Sequence, residues 1–187
     1  MVVYLCRMTD QELLELFRQE EGKLKAFNAL VEKYQQKVYW MVRKMLIDHD
    51  DTDDVTQEVF IKIWNGLENF RGDAQLYTWI YRIASNEAIN FLNRKKRKAQ
   101  VPLEDVQRVL EDQLETDPLV GGDEIQLKLQ KALLRLPEKQ RLVFNFKYFE
   151  DLTYEEIAEI TGTSVGALKA SYHWAVKKIE DYLNGED

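Results

Sequence analysis

Residues 152–175 read LTYEEIAEITGTSVGALKASYHWA, which predicts two short helices around a glycine turn. Thr153 is followed three residues later by Glu156, which is the spacing of a capping box at the start of a helix. Gly162 supplies the left-handed conformation with which many helices end, and Ser164 can cap the second helix. This pattern predicts a helix-turn-helix, a motif that commonly places a helix in the major groove of duplex DNA.

The composition limits the kinds of protein that this 187-residue chain can be. Apolar residues make up 45% of it, which is enough for a packed core. No apolar run is long enough to span a bilayer, and the N-terminus lacks a secretory pattern, so we expect a soluble cytoplasmic protein. Cys6 is the only cysteine, which excludes an intrachain disulfide and a cysteine-based zinc site. His49 and His173 lie far apart in the sequence, so no metal site is expected.

Helical periodicity is also present in the N-terminal half of the chain. Thr9 and Glu12 repeat the spacing of a capping box ahead of an apolar stripe. Apolar residues at three- and four-residue steps predict helices over about residues 25–45 and 77–97. Between these helices, residues 49–52 are expected to form a polar turn that precedes a further helix.

Charge is unevenly distributed along the chain, whose net charge is −7. Residues 101–124 contain one basic and eight acidic side chains, so the excess of negative charge falls in this short segment. The segment also contains two prolines and a Gly-Gly pair, which interrupt helices, and like charges repel and extend a chain. We therefore predict an all-α fold in which an extended acidic linker, residues 99–124, joins two small helical domains, residues 1–98 and 125–187.

A basic run, Arg94-Lys-Lys-Arg-Lys98, ends the last predicted helix of the first domain. The run can be a solvated helix end, because the helix dipole favours cations there. It can also contact phosphates, since it follows a stretch of aromatic residues and arginines that suits the stacking of single-stranded bases. Trp79 in this stretch can either stack on a base or pack in the core. The members of the stretch are Phe70, Arg71, Tyr77, Trp79, Tyr81 and Arg82.

Taken in order, these segments resemble a bacterial RNA polymerase sigma factor of the small extracytoplasmic-function group, which has only regions 2 and 4. The resemblance covers about residues 23–98 and 125–183. A helix-turn-helix alone occurs in many unrelated regulators, whereas the ordered set is specific. The motifs that carry it are Asp54-Val-Thr-Gln-Glu-Val-Phe60, Phe70-Arg-Gly-Asp73, Tyr77-Thr-Trp-Ile-Tyr-Arg-Ile-Ala-Ser-Asn86, the acidic linker and the helix-turn-helix.

The resemblance implies that the first domain, of region-2 type, binds core RNA polymerase and helps to melt the −10 promoter element. Phe70 and Asn86 have the chemistry to hold an unstacked base, by stacking and by hydrogen bonding, although Asn86 can also be a solvent-facing polar residue. The residues implied to bind the polymerase clamp helices are Asp54, Gln57, Glu58, Ile61 and Trp64. The residues implied to contact the −10 element are Phe70, Arg71, Tyr77, Trp79, Arg82, Asn86, Arg94, Lys95 and Arg97.

The second domain, of region-4 type, is implied to read the −35 element as duplex. Lys169 is the best candidate for a contact with a base edge or a phosphate, and Gly166 can permit close approach to the DNA backbone. The chain departs from the family pattern, because Ala167 stands where threonine is common and Ser171 where arginine is common. The residues implied to contact the −35 element are Thr163, Ser164, Val165, Gly166, Ala167, Lys169, Ala170 and His173.

The resemblance also implies the partners. They are core RNA polymerase with its largest and second-largest subunits, promoter DNA with a duplex −35 and a melted −10 element, and an anti-sigma factor that is often membrane-bound. Stress or cell-envelope genes are the implied targets, and no small-molecule substrate is implied. In this group the linker threads toward the active-site cleft and RNA exit path, which hold a polyanion; a solvated acidic tether is the other interpretation.

Two other classes of function remain open to test. A conventional operator-binding regulator would explain the helix-turn-helix but not the first domain, and it would bind duplex DNA by itself. For an enzyme, the sequence offers no glycine-rich phosphate loop, no His-Glu-x-x-His motif, no cysteine cluster and no nucleophile–base pair. We therefore expect a protein without catalytic activity or cofactor that works through core polymerase.

Overall fold

The computed structural model describes residues 8–98, 110–115 and 124–185, and the regular elements of these residues are all helices, which confirms the predicted all-α class. None of the described helices is both long and apolar enough for a membrane crossing. The first region, residues 8–98, contains α1 (Asp10–Phe17), a 3-10 turn (Glu20–Gly22), α2 (Lys23–Leu46), α3 (His49–Leu67) and α4 (Leu76–Lys98). The second region, residues 124–185, contains α5 (Glu124–Leu134), α6 (Glu138–Tyr148), α7 (Tyr154–Thr161) and α8 (Val165–Asn184).

Both predicted capping boxes are present. The Thr9 backbone N–H donates to the Glu12 carboxylate at 2.7 Å, while the Glu12 N–H donates to the Thr9 hydroxyl at 3.2 Å. Thr153 and Glu156 repeat this exchange at 2.8 and 3.2 Å. Each box satisfies backbone donors that the first turn of a helix leaves without a partner, so α1 and α7 start where the sequence predicts.

The start of α3 differs from the prediction. Residues 49–52 were expected to form a polar turn, but α3 already begins at His49. The reason is Asp48, whose carboxylate accepts a hydrogen bond from the Asp51 backbone N–H at 2.9 Å and so caps the helix. Thr52 is fully buried, and its hydroxyl donates to the Asp48 carbonyl at 2.5 Å. The polar residues therefore build the first turn of α3 rather than a connection before it.

The core of the first region extends into the second region. Helices α2, α3 and α4 pack on each other, and α1 lies on α2 through the buried Leu13 and Phe17. A smaller separate core lies between α5, α6 and α8. The second-region residues that join the core of the first region are Leu142, Val143, Phe146, Ile157, Ile160 and Leu168. The two regions therefore share buried apolar surface.

Helix α6 is the element that lies between the two cores. Its residues 141–146 are all buried, which a helix with a single apolar stripe cannot achieve. Val143 and Phe146 belong to the shared core, whereas Phe144 belongs to the separate core of the second region. The consecutive apolar residues of α6 are thus explained by packing on two sides.

Part of the predicted linker is helical, because residues 110–115 form helical turns. Leu114 is 2% exposed, and the Glu115 carboxylate pairs with Lys131 at 2.5 Å. Burial of an apolar side chain and neutralisation of a carboxylate offset the repulsion that was expected to extend this segment. The rest of the predicted linker between α4 and α5 lies outside the described residues, as does Cys6.

Candidate nucleic-acid and protein interfaces

One face of α3 is exposed and partly apolar. Ile61 is 60% exposed and Trp64 is 37% exposed, whereas Val55, Val59 and Ile63 of the same helix are buried. Exposed apolar side chains grouped among polar ones are typical of a protein contact surface. The residues implied to bind polymerase all lie exposed on α3: Asp54, Gln57, Glu58, Ile61 and Trp64.

Trp64 is held in place by rings from α1 and α2. Its ring centroid lies 5.6 Å from that of Phe17 and 4.9 Å from that of Phe27, in both cases edge to face. Such pairs add about 1 kcal/mol to the burial of the rings. The exposed edge of Trp64 is therefore fixed before any partner binds, and α1 supports this surface.

Helix α1 is tied down by a polar network that the sequence analysis missed. The Tyr34 hydroxyl donates to the Asp10 carboxylate at 2.7 and 2.8 Å, and Lys33 pairs with the same carboxylate at 2.7 Å. Burial and the neighbouring Asp10 raise the pKa of Tyr34. No local signal links these residues, because 24 positions separate Tyr34 from Asp10.

The aromatic group before α4 combines packing with partial exposure. Phe70 and Trp79 are half-buried, with ring centroids 5.1 Å apart at an angle of 46°. Trp79 rests on Gly66 of α3, where an added Cβ would lie 2.9 Å from the Trp79 ring. Trp79 of α4 thus packs against α3, as the interpretation of Trp79 as a packing residue predicts. Its ring also contacts the ring of Phe70.

The basic run at the end of α4 is exposed but largely paired. Lys95 pairs with Asp51 of α3, Lys96 pairs with Glu138 of α6, and Arg94 lies 3.6 Å from Glu58. These carboxylates reduce the positive charge that the run can offer to phosphates. The α4 residues and loop arginine that remain at the surface are Arg71, Arg82, Asn86, Arg94, Lys95 and Arg97.

Two residues implied to contact the −10 element are instead bonded to α7. The Tyr77 hydroxyl donates to Glu156 Oε1 at 2.5 Å, and the Arg82 guanidinium donates to the Glu159 carbonyl at 2.5 Å. The hydrogen bonds from Tyr77 and Thr153 lower the pKa of Glu156. Burial and the Glu156 contact raise the pKa of Tyr77, so the phenol is kept protonated beside the carboxylate.

The helix-turn-helix has the geometry that the sequence predicts. Gly162 has φ 67° and ends α7, and the Ser164 hydroxyl accepts a hydrogen bond from the Ala167 N–H at 3.4 Å to start α8. Leu168 is 1% exposed and anchors α8 to the core. The residues implied to contact the −35 element lie at the surface, all exposed except for the half-buried Val165: Thr163, Ser164, Val165, Gly166, Ala167, Lys169, Ala170 and His173.

Residues around the outer face of α8 differ in their roles. The Lys169 Nζ lies 5.7 Å from the centre of the Tyr154 ring, so this cation sits where α7 and α8 meet. Tyr172 stacks on Phe144 with centroids 5.8 Å apart and therefore packs, whereas Trp174 is 51% exposed. Of Tyr172 and Trp174, it is thus Trp174 that is available to a ligand.

Arg141 is a buried cation that the sequence analysis did not single out. It is 5% exposed, and its Nε has no hydrogen-bond partner among the described residues. Burial lowers the pKa of Arg141 to about 10. The side chain lines a cavity of about 100 Å³ beside Leu46, Leu92 and Leu136. Within the described segments, no three His, Cys, Asp or Glu side chains are grouped as a metal site would require.

Comparisons with known proteins give a consistent picture. The family model "Sigma-70 region 2" matches residues 30–98, and "Sigma-70, region 4" matches residues 126–179. The RNA polymerase sigma-H factor of Pseudomonas aeruginosa is 35% identical over 187 residues, with 96% of each chain covered. The ECF RNA polymerase sigma-E factor of Escherichia coli K12 is 35% identical over 185 residues, with 94% of each chain covered.

Two solved structures are similar in fold, each at 21% sequence identity. The sigma factor RpoE of Bartonella quintana, in complex with the anti-sigma factor NepR, has a TM-score of 0.69 and covers 86% of this chain and 98% of its own. CnrH, in complex with the cytosolic domain of CnrY, has a TM-score of 0.67 and covers 95% of this chain and 99% of its own.

Proposed function

The chain belongs to the sigma-70 family, in its extracytoplasmic-function group, and we propose that its two regions divide the binding of polymerase and promoter between them. As a sigma factor, the protein directs the initiation of transcription at promoters. We assign core RNA polymerase to the exposed face of α3, the −10 element to α4 with the loop before it, and the −35 element to α8.

The observation that carries the polymerase assignment is the exposure of Ile61 and Trp64 on α3. An isoleucine that is 60% exposed in the middle of a helix contributes little hydrophobic stabilisation to folding of the chain alone. Trp64 is braced by two rings, so a partner can bind it without ordering it. Gln57 and Glu58 beside them supply the polar rim that protein interfaces have.

The assignment of the −35 element rests on the exposed face of α8. Gly166 has no side chain, and the exposed Ala167 and Ala170 carry only methyl groups, so a nucleic-acid backbone can approach this face closely. Lys169 places a cation at the edge of the same face. The assignment of the −10 element rests on Phe70 and Asn86, which supply a partly exposed ring and an exposed amide.

We further propose regulation by an anti-sigma protein. Both of the similar solved chains are bound to a partner protein, and this chain aligns with almost the whole of each. A partner that covers Ile61 and Trp64 would exclude polymerase by occupying the same apolar surface.

The test uses purified chain and bacterial core polymerase without any other sigma factor. We expect the two to co-elute in gel filtration and to produce run-off transcripts from a library of promoters. Ile61→Asp should weaken co-elution by about tenfold or more, as expected for loss of a central apolar contact. Leu183→Asp changes an exposed apolar residue at the end of α8 and should leave co-elution unchanged.

An operator-binding regulator would behave differently in the same preparation. It would shift duplex DNA equally well with and without core polymerase. A sigma factor should shift promoter DNA weakly alone and strongly once core polymerase is added. Absence of co-elution together with absence of transcription from every template would overturn the proposed function.

A further inference from the structure

A cavity of about 100 Å³ lies where the two regions meet. Its walls come from α2, α3 and α4 of the first region, from the helical turns at residues 110–115, and from α5, α6 and the residues between them. Water gains few hydrogen bonds from apolar walls, so the cavity suits an apolar group. The apolar side chains that supply most of the lining are Leu46, Phe91, Leu92, Leu110, Leu134 and Leu136.

The charged side chains of the cavity leave one positive charge without a matching carboxylate. The lining contains three cations and two carboxylates. Lys95 pairs with Asp51, and Lys96 pairs with Glu138. Arg141 is the third cation, and Glu138 attracts it electrostatically from one turn earlier on α6 while holding its ion pair with Lys96. A ligand with a single negative charge would therefore balance the charges of the cavity.

The Arg141 guanidinium has a buried donor without an acceptor. The residue is 5% exposed, and its Nε finds no hydrogen-bond partner in the described segments. Burial lowers the pKa of Arg141 to about 10, so the group is still a cation at neutral pH. A buried charge with an unmade hydrogen bond destabilises the fold. A guanidinium presents its N–H groups as a planar fork that the two oxygens of a carboxylate match.

The volume of the cavity limits the apolar part of a ligand. In another protein, an engineered apolar cavity of about 150 Å³ takes up benzene, which has six carbon atoms. A cavity of about 100 Å³ therefore suits a body of about four carbon atoms. An isobutyl group has this size, and its branched shape can pack closely among leucine side chains.

The same features disfavour other anions. The ammonium group of an amino acid would need a carboxylate of its own, whereas Asp51 and Glu138 are both paired with lysines. Inorganic phosphate has negative charge but no apolar surface, so it would leave the leucine walls without contacts. A monocarboxylate with a short branched tail matches both the charged and the apolar parts of the lining.

We propose that this cavity is a binding site for a small aliphatic monocarboxylate. The carboxylate accepts hydrogen bonds from Arg141, and the tail packs among the leucines. Because the walls belong to both regions and to the turns at residues 110–115, the bound acid stabilises the packing of these elements on each other. The inference goes beyond the proposed function and does not rest on it, since neither polymerase nor DNA takes part.

The test uses the full-length chain and three small molecules. The probe is 3-methylbutanoate, which carries both an isobutyl group and a carboxylate. Acetate has the carboxylate with only a methyl group, and 3-methylbutanamide has the isobutyl group without the charge. Thermal unfolding and proton–nitrogen NMR of the arginine Nε–H groups are recorded at neutral pH and constant ionic strength. The spectrum of Arg141→Met identifies the Arg141 resonance by its absence.

Binding of 3-methylbutanoate should change both readouts. We expect it to raise the unfolding temperature and to move the Arg141 Nε–H resonance, with a dissociation constant of about 1 mM or lower. Acetate and the amide should each bind about tenfold more weakly or worse, because acetate lacks most of the apolar contact and the amide lacks the charge.

Substitutions at two positions of α6 separate recognition by Arg141 from net charge. Arg141→Met should weaken binding of 3-methylbutanoate about tenfold or more, since the carboxylate loses its partner. Arg141→Lys keeps the charge but loses the planar fork, so its affinity should lie between those of the unsubstituted chain and Arg141→Met. Lys139→Met removes an exposed cation of the same helix that does not line the cavity, and it should leave binding unchanged.

Three results would overturn the proposal. The first is an Arg141 Nε–H resonance that does not move at about 20 mM 3-methylbutanoate, well above the expected dissociation constant. The second is equal affinity for the acid and for either control molecule, because one part of the lining would then explain binding. The third is an equal loss in Lys139→Met and Arg141→Met, because the acid would then bind through surface charge. Each of these results would leave co-elution with polymerase, and thus the proposed function, unaffected.

Discussion

The Tyr77 hydroxyl and the Glu156 carboxylate lie 2.5 Å apart, although 79 positions separate the two residues in the sequence. Glu156 also accepts hydrogen bonds from the Thr153 backbone N–H and hydroxyl, each at 2.8 Å. One carboxylate therefore both starts α7 and ties it to α4. The start of the helix-turn-helix and its docking on the first region are thus coupled through a single side chain.

Tyr77→Phe removes the hydroxyl of this pair and keeps the ring. We expect the docking of α7 on α4 to weaken by about 1 kcal/mol or slightly more, since the lost hydrogen bond goes to a carboxylate. Amide hydrogen exchange in α7 should therefore become faster. Tyr39→Phe removes a hydroxyl that lies 3.0 Å from His49 within the first region, and it should leave exchange in α7 unchanged.

The pKa of Glu156 predicts how stability depends on pH. Hydrogen bonds from Tyr77 and Thr153 hold this pKa below its usual 4.5. The stabilisation is therefore fully present above about pH 4.5 and is lost as pH falls through the lower pKa of the folded state. Denaturation midpoints measured downward from neutral pH should fall less in Glu156→Gln than in the unsubstituted chain, whereas Glu155→Gln should follow the unsubstituted chain.

Two glycines in helices should respond in opposite ways to alanine. In Gly66→Ala the new Cβ would lie 2.9 Å from the rigid Trp79 ring, so we expect net destabilisation by about 1–3 kcal/mol and displacement of Trp79. In Gly166→Ala no neighbouring atom lies within 4 Å of the new Cβ, so the free energy of unfolding should rise by up to about 1 kcal/mol. Thermal unfolding tests both, and a stabilised Gly66→Ala would show that Trp79 does not pack as described.

Gly166→Ala also tests the assignment of α8 to duplex DNA. If the DNA backbone approaches this position closely, the added methyl group should weaken binding of the −35 duplex by the holoenzyme while the protein itself is more stable. Unchanged promoter affinity would place the DNA elsewhere on the second region. Glu180→Gln, on the same helix but far from its N-terminus, is the matched control.

Phe146→Ala should be among the more damaging substitutions in the chain. The side chain is fully buried between the regions, so its truncation should lower the free energy of unfolding by about 3–5 kcal/mol. Tyr148→Ala truncates an aromatic residue of the same helix that is 58% exposed and should cost about 1 kcal/mol. Equal losses in urea denaturation would contradict the position of α6 between the two cores.

Arg141→Met removes a buried guanidinium whose Nε has no partner among the described residues. We expect the free energy of unfolding to rise by about 1 kcal/mol, because a flexible apolar side chain replaces a desolvated charge. Burial lowers the pKa of Arg141 to about 10, so the cost of burying its charge is constant below about pH 10 and declines above it. The advantage of the variant should therefore shrink above that pH, and a destabilised variant would show that the guanidinium has a partner.

The features that the sequence predicted correctly are local ones. Thr153, Glu156, Gly162 and Ser164 act through hydrogen bonds and backbone angles that span at most four residues, so spacing alone identifies them. The exposure of Ile61 follows from its place off the apolar stripe of α3. The predicted turn at residues 49–52 was wrong, because acidic residues suit a connection and the first turn of a helix equally well.

The features that the sequence did not predict depend on distant partners. The apolar residues of α6 form no single helical stripe, because one side of the helix packs on the first region and another on the separate core of the second region. In the helical turns at residues 110–115, Glu115 pairs with Lys131, which lies 16 positions further along the chain and neutralises the carboxylate. The sequence likewise did not predict that the basic run pairs with Asp51 and Glu138. A run of lysines and arginines has the same composition whether its charges are free or paired with carboxylates.

The sequence by itself determined the helical class, the starts of α1 and α7, the helix-turn-helix and the resemblance that led to the family. These rest on interactions between residues a few positions apart, which a linear pattern records directly. Only the tertiary structure decided that α7 lies on α4 and that Tyr77 meets Glu156. Such contacts join residues more than 70 positions apart, and their energy depends on shape and desolvation, which no spacing in the chain encodes.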